Sequence, residues 1–285
     1  MLTSKVCCYA DFFSDWYIRW AEALRLETAI RDTDPEKRDT HRKLWEWCAI
    51  AEALRERGML QAGRTGVGFA VGTEPLASAF AAEDVSILGT DLGTDQAGWT
   101  STNQYAASLE ALYYEPVISR EKFAANVRFQ PADMNNVAVL AGQSFDFVWS
   151  SCSFEHLGSL EAGLRFVLDA MRLVKSGGIA VHTTEYNVSS NDDTMTSGPS
   201  VIYRRRDIED LSYALRSVGC ALERPEFDAG THRHDIEFDF PPYFHNNRKH
   251  IKLLLGPYVS TSILLIIKKG APPPAESTPR VAILR

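Results

Sequence analysis

The sequence predicts an α/β fold: a doubly wound, mostly parallel seven-stranded sheet with an antiparallel final hairpin, preceded by an N-terminal helical extension. Three observations predict it. From Gly66 onward, short β-rich runs alternate with helical stretches, which implies right-handed crossovers and helices on both faces of a parallel sheet. Ahead of it, residues 38–60 instead carry apolar side chains at three- and four-residue spacing. The last two β-rich runs have no helix between them, so they pair antiparallel, because a parallel pair needs a crossover.

In chain order, residues 9–30 and 38–60 read as helices, the second with Trp45, Ala49, Ala53 and Leu54 on one face. The polar stretch DTDPEKR (32–38) separates them and Gly58 closes the pair. The strands follow as GVGFAV (66–71), VSILGTD (85–91), VRFQPAD (127–133), FDFVWSS (145–151) and GIAVHTTE (178–185), with helices at 75–82, 103–113, 119–125 and 159–174. A helix at 207–219, the strand-like ALERPEF, a long loop and the β-branched run 258–270 complete the sheet. The expected organisation is an extension over 1–62, an α/β domain over 63–270 and a proline-rich disordered tail over 271–285.

A net charge of -7 on 285 residues argues against a general nucleic-acid binder, and the run Arg204-Arg205-Arg206 reads as a solvated helix start. Five cysteines with no CxxC pair fit free thiols in a reducing compartment, hence a cytoplasmic protein. Cys152 reads as a packing residue. The apolar run 262–267 is far too short to span a bilayer.

The functional signal is a constellation at the strand ends. Gly68, Ala70 and Gly72 are small at alternate positions, which lets the backbone after the first strand bend toward a ligand. Asp91 ends the next strand, where an acid meets ribose hydroxyls. Asp133 and Met134 follow the third strand, as an acceptor for an adenine amino group and an apolar cover for its ring. Residues 150–155 follow the fourth, at the switch point of the sheet. Glu74 decides between nucleotides. A carboxylate at this helix start would repel a pyrophosphate, whereas S-adenosylmethionine has no phosphate and carries an ammonium and a sulfonium.

With these residues in view, the chain from about 64 to 270 resembles class I S-adenosylmethionine-dependent methyltransferases. GVGFAVGTE stands for the glycine-rich first motif, LGTD for the second and PADM for the third; FDFVWSSCSFEHL and LDAMRLVKSGGIAVHTTEYN follow. Ser176 replaces the usual proline of the family's L-K-P-G-G, and Ala70 and Glu74 stand where the first and last glycines of GxGxG usually fall. The resemblance implies S-adenosyl-L-methionine as cofactor and S-adenosyl-L-homocysteine as product. Gly68, Phe69, Ala70 and Gly72 would then wrap the methionine part and Glu74 would lie beside it. Asp91 would hold the ribose, Asp133 and Met134 the adenine, and Ser151 would face the sulfonium. It also implies that the helical extension covers the cofactor or joins two copies into a homodimer, with Trp16, Trp20, Trp45 and Trp47 in core or interface.

Methyl transfer needs alignment and, for an oxygen or nitrogen acceptor, removal of a proton. His156 and Glu185 are the leading bases, with Glu155 and His182 behind them. The stretch THRHDIEFDFPPYFHNNRKH matches no compact metal motif, so no metal is expected. It reads as an acceptor-side lid, with Phe238, Phe240, Tyr243 and Phe244 beside His234 and Asp235, suited to a sugar or a ring-containing small molecule. The acceptor expected is a small or carbohydrate-like molecule methylated on oxygen, with no nucleic acid and no membrane span involved. The rival readings are an NAD(P)-dependent oxidoreductase and a catalytically silent binding or scaffold protein on the same fold.

Overall fold

A computed structural model describes residues 1–30, 32, 34–92, 105–245 and 248–270. The chain begins with strand β1 (Lys5–Val6), helix α1 (Asp15–Ala23), the single turn α2 (Glu27–Ile30) and the long helix α3 (Arg42–Glu56). The alternating region runs β2 (Thr65–Phe69), α4 (Leu76–Ala82), β3 (Ser86–Asp91), α5 (Arg120–Asn126), β4 (Val127–Pro131), β5 (Phe145–Ser151), α6 (Leu160–Ala170) and β6 (Val174–Asn187). It closes with α7 (Arg205–Ser217), β7 (Cys220–Leu222), the short α8 (Arg233–Ile236), β8 (Leu253–Leu255) and β9 (Tyr258–Lys269). Side chains fix several starts: His41 accepts from the backbone N–H of Lys43, Ser119 from that of Lys122 and Ser159 from that of Ala162.

The sheet order is β4-β3-β2-β5-β6-β9, parallel up to β6 and antiparallel between β6 and β9. The expected antiparallel pairing of the last two runs is present as β7 against β9. Two short strands add to the seven expected. β8 pairs with Tyr258–Ser260 and β1 with Ile263–Leu264, so β8, β1 and β7 cover the outer edge of β9 one after another. That cover removes most of an edge that would otherwise offer unpaired backbone groups. Two- and three-residue strands are too short to show a period in the sequence.

Alternate strand residues enter two cores. Phe147 and Trp149 of β5, with Leu264 and Ile266 of β9, pack under α1, α3, α4 and α5. Val67 and Phe69 of β2, Val148 of β5 and Ile263, Leu265 and Ile267 of β9 face α6 and α7. The helix expected over 9–30 is broken into three pieces, a 3-10 turn at Tyr9–Phe13, α1 and α2. Asp11 points inward, accepting from Trp45 Nε1 at 2.9 Å and Lys5 Nζ at 2.5 Å, and Arg25 turns left-handed with φ 58°. Of the helix expected over 103–113, residues 103 and 104 lie outside the described residues. The remainder holds only a 3-10 turn at Leu109–Leu112, where the Ser78 hydroxyl bonds the Leu112 carbonyl and the Tyr114 N–H. The expected disordered tail also lies outside the described residues. Among the described residues, no helix is long and apolar enough to cross a membrane.

Glycines in β2 admit the aromatic layer of β5. A Cβ on Gly66 would stand 2.2 Å from Phe147 Cζ, and one on Gly68 would stand 2.3 Å from Trp149 Cζ2. Gly66→Ala should therefore destabilise the protein by about 1–3 kcal/mol through overpacking. Urea unfolding reads this directly; an unchanged midpoint would show that the ring can move aside.

Candidate active site

A cleft of about 590 Å³ opens at the C-terminal ends of β2, β3, β4 and β5, with the start of α3 forming its other wall. That size suits a small-molecule site. Three residues around it adopt left-handed backbone: Ala70 (φ 48°), Gly72 (φ 51°) and Cys152 (φ 43°). For alanine and cysteine this conformation costs about 1–2 kcal/mol, and such strain concentrates at functional sites. Ala70 thus takes a backbone shape usually left to glycine.

Asp91 organises the loops around the cleft. Its carboxylate accepts from the backbone N–H groups of Gly72 (3.0 Å), Leu92 (2.8 Å) and Ala106 (3.1 Å). Burial raises its pKa despite those three donors. Past β4, exposed Asp133 caps the following turn through Asn135 N–H at 2.8 Å, and Met134 is buried beside it. Both line the cleft, as do Ala70, Gly72, Glu74, Ser151 and His156.

Three predicted residues lie outside this lining. Gly68 is small because the Trp149 indole lies against it, and its carbonyl accepts from Thr90 Oγ1 at 2.8 Å. The Phe69 side chain is buried in the second core, edge-on to Phe166. Glu185 is buried and engaged on both oxygens, by the Arg42 guanidinium and by Ser260 Oγ at 2.6 Å. Of the secondary bases, His182 sits in the core against Ser150 Oγ at 2.8 Å, and burial lowers its pKa to about 3. Glu155 is buried, with Oε2 accepting from Thr184 at 3.0 Å and Oε1 lacking a hydrogen-bond partner among the described residues.

Beneath the cleft lies a charged cluster that the sequence reading missed. Arg42 is buried and bonds Glu185, Ser262 Oγ at 3.0 Å and Cys152 Sγ at 3.6 Å, with Glu46 at 3.5 Å. Glu46 also accepts from Ser151 Oγ and Thr183 Oγ1, both at 3.2 Å, and from Ser262. The signal was an Arg–Glu pair at i,i+4 on the same helix face as Trp45 and Ala49. Cys152, Glu155 and Glu185 bring ligand atoms within 4.8 Å of one another, but the guanidinium already supplies positive charge there. Asp39, His41, Leu44, Trp47 and Tyr105 complete the cleft and were likewise missed. The expected lid is divided. His234 and Asp235 are buried, on Glu36 and on the Tyr9 N–H, while Phe240 and Phe244 are exposed. Phe244 and His250 stack with centroids 4.3 Å apart, and His250 lies 4.5 Å from His41 at the cleft.

His156 carries a fixed tautomer. Its Nδ1 lies 2.8 Å from the Pro199 carbonyl, which can only accept, so Nδ1 donates and Nε2 holds the lone pair of the neutral ring. Glu74 is 9 % exposed and accepts from Trp149 Nε1 at 3.1 Å. Burial raises its pKa to about 8 from an ordinary value of 4.5, against the opposing indole bond and Lys43. Between those values the folded state keeps a proton that the unfolded chain has lost, so this group lowers stability as pH rises through the window. Glu74→Gln should raise the melting temperature of the ligand-free protein by several degrees near pH 8 and hardly at all near pH 4.5. An equal shift at both pH values would contradict the buried, protonated carboxyl.

The residues fit S-adenosylmethionine: a strand-end carboxylate at Asp91, an acid and an apolar side chain after β4, a left-handed turn at Ala70 to Gly72, and a buried acid at Glu74. Residues 65–182 match the sequence model of the family described as methyltransferase domain. No curated protein matches the chain. Among solved structures, the fold is similar to a candidate sarcosine dimethylglycine methyltransferase from Galdieria sulphuraria. That match has TM-score 0.50 and 14 % identity, and covers 90 % of this chain and 99 % of that one. It is also similar to the 4+2 cyclase SpnF, with TM-score 0.51, 16 % identity, and 80 % and 84 % of the two chains covered. The glycine turn, the strand-end acids, the sheet order and the match of residues 65–182 to the methyltransferase domain model together support a class I S-adenosylmethionine-dependent methyltransferase.

Proposed function

We propose that this methyltransferase acts in the cytoplasm on a small-molecule or carbohydrate-like acceptor, at a hydroxyl oxygen, with His156 as the general base. The observation that supports this most is the pairing of His156 with the Pro199 carbonyl, which directs the lone pair of the neutral ring to Nε2 on a side chain lining the cleft. Bound S-adenosylmethionine supplies an electrophilic methyl group on a positively charged sulfur. Asp133 and Met134 would hold its adenine, Asp91 its ribose, and Ala70 and Gly72 its methionine part, with Ser151 facing the sulfur. The cleft volume and the aromatic edge formed by His41, Trp47 and Tyr105 favour a compact acceptor. His156 would take the hydroxyl proton as the oxygen becomes a nucleophile, while the Pro199 carbonyl stabilises the imidazolium through Nδ1.

The chain clamps His156 from outside the alternating region. Val201 N–H bonds the Glu155 carbonyl at 2.9 Å, Gly198 N–H the Gly158 carbonyl at 3.0 Å and Leu160 N–H the Thr196 carbonyl at 3.1 Å. The segment after β6 therefore sets the position of the imidazole. His156→Ala should lower transfer of labelled methyl to the best of a panel of hydroxyl-bearing small molecules by about a hundredfold or more. Affinity for S-adenosylmethionine should stay within about twofold, since the loss concerns the proton and not the donor. An unchanged rate in the variant would remove the base assignment, and labelling confined to protein or RNA would remove the acceptor class.

A further inference from the structure

We propose that Glu74 is a specificity-determining residue that makes the cleft prefer a donor with positive charge on its sulfur over the neutral thioether left after transfer. The inference rests on the assignment of the cleft to S-adenosylmethionine and names the residue that would read the donor's charge.

Glu74 lines the cleft, yet among the described residues no lysine, arginine or histidine lies within 4.0 Å of its carboxylate. Lys43, the cation on the facing wall, pairs with Glu46 at 3.6 Å instead. Lys43 favours the ionised carboxyl from a distance, but less than burial opposes it. Glu46 faces Glu74 from α3 beside Lys43, Asp91 lies at the end of β3, and Cys152 and His156 follow β5. The position of Glu74 is built in by packing: the missing side chain of Gly68 admits the Trp149 indole, whose N–H reaches Glu74 Oε1 at 3.1 Å.

A buried carboxylate with no cation in salt-bridge range is costly, so the free protein holds a proton there. A ligand cation set against Glu74 provides the missing charge and expels that proton; a neutral sulfur does not. The direction along the sheet fits. With the adenine at Asp133 after β4 and the ribose at Asp91 after β3, the sulfur falls on the β2–β5 side, where Glu74 and Ser151 stand. Donor and product share the ammonium group, so only the sulfur distinguishes them. A site of this kind resists product inhibition because the charge it recognises is lost in the reaction.

The test is isothermal calorimetry of wild type and Glu74→Gln with S-adenosylmethionine and S-adenosylhomocysteine, near pH 7 in two buffers of different ionisation enthalpy. Wild type should release close to one proton more on binding the donor than on binding the product. In Glu74→Gln that difference should vanish, and the preference for donor over product should fall about tenfold. The wild-type preference, followed from about pH 6 to about pH 9, reads the same property without a variant: it should rise with pH and level off above about 8. Equal proton release with both ligands, or a preference unchanged by the substitution or by pH, would overturn the proposal. Failure of wild type to bind either ligand would overturn the cofactor assignment itself.

Discussion

The guanidinium of Arg42 is the interaction on which the arrangement of the site depends. It sits where the N-terminal helical layer meets the sheet and reaches four elements at once: Glu46 on its own helix, Glu185 on β6, Ser262 on β9 and Cys152 past β5. Its backbone N–H also bonds the His250 carbonyl at 3.0 Å, which joins the segment before β8 to the same point. Burying such a charge is tolerable only because carboxylates, hydroxyls and a thiol surround it, and removing one partner would leave the others uncompensated. This anchor fixes the start of α3, and with it His41, Lys43 and Trp47 as one wall of the cleft. The helical layer is therefore part of the site.

A second dependence runs through the aromatic layer of the sheet. Gly68 is required for packing, since the indole of Trp149 occupies the place of its side chain. The same indole presents its N–H to Glu74, so a small residue inside a strand sets the environment of a carboxyl lining the cleft. The left-handed turn at Ala70 and Gly72 then leads the chain from β2 to Glu74, and Asp91 holds that turn through the Gly72 N–H. Packing, backbone shape and charge are settled together, which accounts for an unusual acid in a turn otherwise made of small residues.

The parts legible in the sequence were those carried by local pattern. The alternation after Gly66 gave the parallel strands, and acids just past strand ends gave Asp91 and Asp133 at the cleft. What escaped was set by distant partners. Glu185 ends the fifth expected strand and looked available, but Arg42, far away in sequence, claims one of its oxygens. Gly68 and Phe69 lie in the glycine-rich stretch, yet side chains on β2 alternate, and Phe69 is turned into the second core. His41, Trp47 and Tyr105 reach the cleft only because separate segments converge on it, which no spacing in the chain records. β1 and β8 are defined by pairing with distant segments, chiefly β9.

The most direct test of the account is a crystal structure of the protein with S-adenosylmethionine bound. The adenine should lie beside Asp133 and Met134, the ribose hydroxyls on Asp91, and the sulfur on the β2–β5 side with the Glu74 carboxyl against it. A donor bound in the opposite direction along the strand ends, or with Glu74 separated from the ligand by water, would contradict the account.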